Sequence, residues 1–361
     1  MIFKFKSLFE KYEHLISPVT FLSGFLWDFF TLNRIDLWFE NVSFLAYLFA
    51  AGAGIVFVHL RESGRFRMKY LEEYGDFMSL PMQFAFGSLF SGFFIFYSRS
   101  ASVWQSWPFL FILCVILFGN EFLRKYYGKF VLHVSIFFMA VFSYAIFALP
   151  VVIGRMGDDV FLASGLISLC AVGIFFFLLF LISPARIRGG FKAAGGSIAG
   201  LFAIFTSFYF INIIPPIPLS LKQIGVYHSV THGPSGDYQV IGEKRAGLGD
   251  FFDRYPEFHR ARGDAVYVFS SVFAPTRIGT KIFHRWEYYD EKQKVWVTTD
   301  RLDFDIVGGR DGGYRGYTLK WNVPSGFWRV GVETERGQLL GRTMFEIVEA
   351  EVLPELDRKI L

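Results

Sequence analysis

Two arginines and two tyrosines stand among five glycines in GGRDGGYRGY, residues 308–317. The guanidinium forks of Arg310 and Arg315 suit a carboxylate or phosphate, which they can grip through paired N–H donors. The rings of Tyr314 and Tyr317 can stack beside such a group. His284, Trp286 and Arg329 on flanking segments extend this candidate ligand-binding set. The plainer reading pairs the arginines with Asp300, Asp303 or Asp305 across a hairpin and packs the tyrosines on a sheet. The stretch lacks the Gly-Lys-Ser/Thr ending of a P-loop and opens no helix, so a nucleoside triphosphate cradle is rejected. Its glycines are expected to serve positive-φ positions in a wide turn.

Other chemistry-bearing residues are sparse. His228 and His232 in YHSVTH have the i, i+4 spacing that makes a metal site on a helix, but their surroundings read as β. A zinc site completed by His259 and His284 is the weaker alternative. The sequence has no Gly-x-Ser-x-Gly elbow, His-Glu-x-x-His or Cys/His pair. The acids of TDRLDFDIVGGRD could hold a glycosidase carboxylate pair, but on a solvated strand such acids mainly solubilise. No catalytic residue, metal or cofactor is assigned, and an enzyme is the less favoured reading.

The elements that position these residues divide into two parts. Hydrophobic residues make up 53% of the 361, aromatics 20%, and Phe alone contributes 47. With a mean hydropathy of +0.38, the chain reads as membrane-embedded. Long apolar runs predict about seven spans near 15–32, 41–60, 80–98, 104–120, 131–153, 160–183 and 196–216. The first follows Lys4, Lys6 and Lys11 without a small-residue cleavage site, and reads as uncleaved. Residues 1–219 are thus a multi-span α-helical membrane domain, and 220–361 a second domain.

Loop charge sets the orientation. With the N-terminus cytoplasmic, the inner segments hold Lys4, Lys6, Lys11, Arg61, Arg65, Arg67, Lys69, Arg124, Lys125, Lys129, Arg186, Arg188 and Lys192. The outer loops hold Arg34, Arg99 and Arg155. Trp27, Trp38, Trp104 and Trp107 fall at outer ends, where amphipathic rings favour the interface. Residues 220–361 are then extracytoplasmic, which in a Gram-negative cell means periplasmic. Inside, RESGRFRMKYLEEYGDFMSL reads as an amphipathic segment on anionic lipid.

Asp28 is the one intramembrane carboxylate singled out, either as a functional centre or as an interfacial group paired with Arg34. His59 and His133 near inner ends read as interfacial polar residues. Paired acids and matching broken helices, the transporter pattern, are missing. Gly52, Gly54, Gly87, Gly92, Gly195, Gly196 and Gly200 suit close helix packing within one bundle, with homodimerisation the alternative. Cys114 and Cys170 read as small hydrophobes.

In the second part, period-two alternation predicts strands at 265–274, 281–290, 294–307, 314–323, 326–335 and 338–350, separated by turns. Trp328, Val330 and Val332 share one face, as do Ile282, His284, Trp286 and Tyr288. Residues 243–262 read as a short helix or loop. This spacing argues an all-β immunoglobulin-like sandwich.

The last 90 or so residues carry linked motifs: His284 and Trp286; Arg310, Gly313, Tyr314 and Arg315; Gly326, Trp328, Arg329 and Val330; Gly337, Gly341 and Phe345. In these the chain resembles a bacterial family known as domain of unknown function 2914, whose β-domain often follows a multi-span region. The resemblance implies an envelope membrane protein and carries no activity or ligand. The expected function is an integral inner-membrane protein, seated in the lipid bilayer, whose periplasmic sandwich binds an envelope glycan, a peptidoglycan fragment or a protein partner. A transporter or enzyme centred on Asp28, or a sensor signalling through a cytoplasmic partner, are the alternatives. Nucleic acid is not an expected partner.

Overall fold

The computed structural model describes residues 25–26, 28–32, 37–63, 79–100, 103–122, 130–233, 236–244, 255–275, 278–307 and 312–361. They form two compact units, a helical one reaching Ile214 and a β-rich one beginning at Pro215.

After a short helical stretch around Asp28, the first unit contains α1 (Trp38–Ser63), α2 (Ser79–Ser100), α3 (Val103–Phe122), α4 (Phe130–Ile153), α5 (Asp158–Ile182) and α6 (Pro184–Phe210). Among the described residues four helices are long and apolar enough to cross a membrane: α1, α4, α5 and Ile187–Phe210 within α6. Four of the seven expected spans are thus apolar and long enough among the described residues. Helix α2 is diluted by Gln83, Ser88, Ser91, Ser98 and Arg99. Most of the expected first span and of the loop after Ser63 lies outside the described residues. The expected span at 196–216 begins earlier. Ser183 alone separates α5 from α6, Pro184 fits the first turn of the new helix, and α6 stops ahead of Pro215 and Pro216.

The bundle is packed by phenylalanine. Phe44 of α1 stacks on Phe93 of α2 at 5.5 Å and meets Phe147 of α4 edge-on at 5.5 Å. A Cβ on Gly92 would drive into the Phe44 ring, so glycine lets α1 and α2 approach. Gly195, Gly196 and Gly200 have nothing within 4 Å of the same position and contribute no such contact. Helix α4 packs against α1, α5 and α6. His59 and His133 are fully buried, unlike interfacial residues. Their rings cross at 5.5 Å, with His133 Nδ1 3.5 Å from His59 Nε2.

The second unit has eleven strands among its described residues. They are β1 (Ser220–Tyr227), β2 (Ser229–His232), β3 (Tyr238–Glu243), β4 (Glu257–Arg260), β5 (Val266–Phe273), β6 (Gly279–Asp290), β7 (Val295–Val307), β8 (Tyr314–Lys320), β9 (Gly326–Thr334), β10 (Leu339–Glu349) and β11 (Leu356–Ile360). Three sheets result, with orders β4-β10-β9-β6-β7, β1-β5-β8 and β11-β3-β2. All pairs are antiparallel except β4 with β10.

Alternation explains the layering. On β5, Val266 and Val268 face the five-stranded sheet, joining Trp286, Trp328, Val330, Phe345 and Ile347 in the main core. Phe269, one residue on, faces the other way and packs with Val230 and Val240 of the small sheet. The β1-β5-β8 sheet is therefore a middle layer. The six expected strands are all present. The helix or loop expected over 243–262 contains β4 instead, whose backbone pairs with β10.

Candidate functional site

The candidate residues separate into three places. His284 and Trp286 are both 0% exposed, in the main core between two sheets. His284 Nε2 lies 2.7 Å from Ser270 Oγ and its Nδ1 2.8 Å from Thr318 Oγ1, while Trp286 Nε1 donates to the same Thr318 oxygen at 3.1 Å. Burial pushes the His284 pKa down to about 3, so the imidazole is neutral. This network ties β6 to β5 and β8 and satisfies every polar group it buries.

Arg329 belongs to a second arrangement, on the outward face of the five-stranded sheet. Its fork meets Glu287 at 2.6 and 2.9 Å, and its guanidinium carbon sits 4.5 Å from the Trp296 ring centre. Arg285 bridges Glu287 and Glu333 at 3.6 and 3.5 Å, and Arg301 reaches Glu333 at 2.8 Å. Glu333 is only 1% exposed because arginine stems cover it. Cross-strand spacing on β6, β7 and β9 sets this ladder.

The glycine-rich turn forms the third. Arg310 lies outside the described residues. Gly313 has φ +83°, and a Cβ there would meet Ser271 Oγ at 2.5 Å, so a turn needing glycine is found as expected. Arg315 Nη1 donates to Leu361 O at 2.8 Å and lies 3.8 Å from Asp237. Its acidic partner is thus not among Asp300, Asp303 and Asp305; Asp300 pairs with Lys320 and Asp303 with Lys281. Tyr317 packs between layers near Tyr238 and Tyr267, and Tyr314 is half-buried.

A cleft of about 640 Å³ opens elsewhere in the β unit, lined by segments of β1, β3, β4, β10 and β11. Glu243, at the end of β3, is its organising group. Its Oε1 accepts the His259 amide N–H at 2.6 Å and lies 3.3 Å from His228 Nε2; its Oε2 lies 3.2 Å from His259 Nδ1. Burial alone would raise the Glu243 carboxyl, but the hydrogen bonds from His228 and His259 outweigh it and hold the group below the ordinary carboxylate range. Glu257 Oε2 stands 3.5 Å from His259 Nε2. His228 also stacks on Phe258 at 4.4 Å. His232 instead meets Tyr238, so the four histidines do not converge. Among the described residues no cluster of three or more His, Cys, Asp or Glu could hold a metal.

In the sequence His228 and His259 read only as candidate metal ligands, and Glu243 carries no signal of its own. The i, i+4 spacing in YHSVTH suits a metal site only on a helix, and the β surroundings argue against one. In a strand it is the pairing of β2 with β3 that brings residue 228 near residue 243. Glu243→Ala is expected to destabilise the unit by about 1 kcal/mol, because it strips the half-buried His259 N–H of its acceptor. Urea midpoints at pH 7 check this.

A membrane-type helical unit followed by a layered β domain that bears a polar cleft is the class these features define. The family model described as Protein of unknown function (DUF2914) matches residues 279–347, from the start of β6 into β10, in agreement with the motif resemblance. No curated protein matches the chain. Among solved structures, a beta-glucosidase from Listeria innocua in complex with gluconolactone aligns at 10% identity and a TM-score of 0.20, covering 36% of this chain and 16% of that one. Beta-D-glucoside glucohydrolase from Trichoderma reesei aligns at 14% identity and a TM-score of 0.20, covering 40% and 22%. The Pseudomonas fluorescens alkylpurine DNA glycosylase AlkC aligns at 10% identity and a TM-score of 0.22, covering 87% and 99%. The chain thus spans about a fifth of the length of these glucosidases, and superpositions this weak define no shared fold.

Proposed function

We propose that this is an integral protein of the bacterial inner membrane whose β unit stands in the periplasm and binds an envelope ligand: a glycan, a peptidoglycan fragment or a protein. The last helix carries this reading. Arg186, Arg188 and Lys192 crowd the first turns of α6, whereas its last turn holds no basic residue. The positive-inside tendency therefore puts the start of α6 in the cytoplasm and everything after Phe210 outside, whatever the total number of spans. The hairpin between α4 and α5, with Arg155 beside Asp158 and Asp159, fits the outer side. Seven spans and a cytoplasmic N-terminus belong to the same topology.

The β-sheet orders support an immunoglobulin-like sandwich, with β1-β5-β8 against β4-β10-β9-β6-β7, a parallel β4–β10 pair, and a buried Trp286 on a central strand. The Glu243 cleft is the ligand seat we favour over the Arg315 turn. Its volume lies within the usual range for small-molecule sites, and the Arg315 fork is occupied by Leu361 O and Asp237.

Orientation is tested by thiol labelling. Val352 is 84% exposed. Val352→Cys, with Cys114 and Cys170 changed to serine, should react with an impermeant maleimide in cells whose outer membrane alone is permeabilised. Labelling that requires lysis of the inner membrane would overturn the topology.

A second reading rests on Asp28. It is 6% exposed, beside Ser91 of α2, and its Oδ2 makes no hydrogen bond among the described residues. A transport or catalytic centre there predicts that Asp28→Asn abolishes function at unchanged protein level. Loss of the protein itself would assign Asp28 to folding.

A further inference from the structure

The cleft's chemistry is more specific than its volume. Its charged walls are internally matched: Glu243 by His228 and His259, Lys244 by Glu355 at 2.9 Å, Lys359 by Asp357 at 3.5 Å, and Glu257 by His259. The lining holds three carboxylates, Glu243, Glu257 and Asp357, and two ammonium groups, Lys244 and Lys359, so its net charge is small and an anionic polymer or a cationic peptide gains little electrostatic attraction. Hydrogen-bonding capacity is nonetheless dense, with carboxylates as acceptors, ammonium groups and imidazole as donors, and the Thr343 hydroxyl as either.

Part of the cleft wall is aromatic. The Tyr227 ring lies across Gly225 and Gly242; a Cβ on Gly225 would meet its hydroxyl at 2.6 Å, and one on Gly242 its Cδ1 at 3.1 Å. Two glycines thus make room for an aromatic face on the cleft wall, with Phe258 and Phe345 beside it. A pyranose ring has the complementary anatomy, with apolar C–H faces and an equatorial belt of hydroxyls.

Resting on the cleft-binding reading above, we infer that the ligand is a neutral oligosaccharide. One ring stacks on Tyr227, and its hydroxyl or acetamido groups bond to Glu257, His259 and Thr343.

The full chain in lipid nanodiscs would be titrated with N,N′,N″-triacetylchitotriose, with N-acetylglucosamine, and with two charged probes, polygalacturonate and pentalysine. Binding would be read by calorimetry and saturation-transfer NMR. The trisaccharide should bind. Affinity should fall at least tenfold in Tyr227→Ala and severalfold in Glu257→Gln, and stay unchanged in Lys281→Ala, which lies outside the cleft. Glu257 is 61% exposed at its side chain, so its variant tests the site even if Tyr227→Ala fails to fold. Equal affinity for the monosaccharide would reduce the ligand to a free sugar and remove the oligosaccharide assignment. Trisaccharide binding indifferent to both variants would overturn the site. Binding of a charged probe alone, weakened by Glu257→Gln, would overturn the sugar assignment while leaving the cleft as a ligand seat. Binding of none of the four by a folded chain would overturn the sugar assignment, with the topology still decided by thiol labelling.

Discussion

Trp286→Ala should lower the unfolding free energy of the β unit by about 3–5 kcal/mol, a large share of the roughly 5–15 kcal/mol that a domain usually has. Three observations set the size of the effect. The side chain is fully buried in the main core. It meets Trp328 edge-on at 6.4 Å, and that partner is itself anchored by Nε1 donating to Pro324 O at 2.9 Å. Its own Nε1 donates to Thr318, the hydroxyl that also meets His284. Truncation therefore opens a large cavity and removes one donor from a polar network. Trp286→Phe keeps most of the packing and should cost about 1–2 kcal/mol. Urea unfolding of the full chain in nanodiscs isolates the effect, since urea acts on the β unit far more than on lipid-embedded helices. An unchanged midpoint in Trp286→Ala, with ligand binding lost instead, would return Trp286 to the binding surface where the motif reading first put it.

That contrast shows what residue types convey and what they withhold. The alternation of β6 to β10 was legible because these strands bury one face more than the other, so tryptophan, valine and phenylalanine repeat with period two, while β5, buried on both faces, was legible as an apolar run. Strands β1 to β4 and β11 were not legible. SVTH and EFHR are too short for a pattern, and LDRKI leaves four of its five residues exposed, so the backbone pairing that orders them has no side-chain signature. The same limit applied to the candidate site. His284, Trp286 and Arg329 were singled out together, yet the register puts the first two inward and the third outward on the same sheet. Glu243 was invisible because its partners arrive from 15 and 16 residues away, through pairings the sequence does not announce. The glycines at 313 and 316 were legible as backbone demands, and both meet one: the first a turn, the second the Phe304 ring laid against it. In the bundle, phenylalanine content forecast lipid contact and core packing alike, and could not say which helices span.

Acid should weaken the β unit through His284 well before its carboxylates respond. The folded pKa is pushed down to about 3 by burial, against 6.5 for an ordinary histidine. Above pH 6.5 the imidazole is neutral in both folded and unfolded chains, and stability is independent of it. Below pH 6.5 the unfolded chain takes up a proton that the folded one refuses until about pH 3, so stability falls with pH across that window. At about 1.4 kcal/mol per pH unit, the loss between pH 6.5 and pH 5 is roughly 2 kcal/mol. Glu243 acts in the same direction, because its depressed carboxyl favours the fold at neutral pH, but its share declines only as pH approaches and passes below the ordinary value of 4.5. The interval from pH 7 to pH 5 therefore reports mainly on His284. His284→Gln keeps a donor and an acceptor for Ser270 and Thr318 without a titrating group. It should be less stable than the parent at pH 7, yet show a flatter urea midpoint from pH 7 to pH 5. Parallel pH curves for parent and variant would mean that the imidazole accepts a proton in place, and that the Ser270–His284–Thr318 network is open enough to hydrate it.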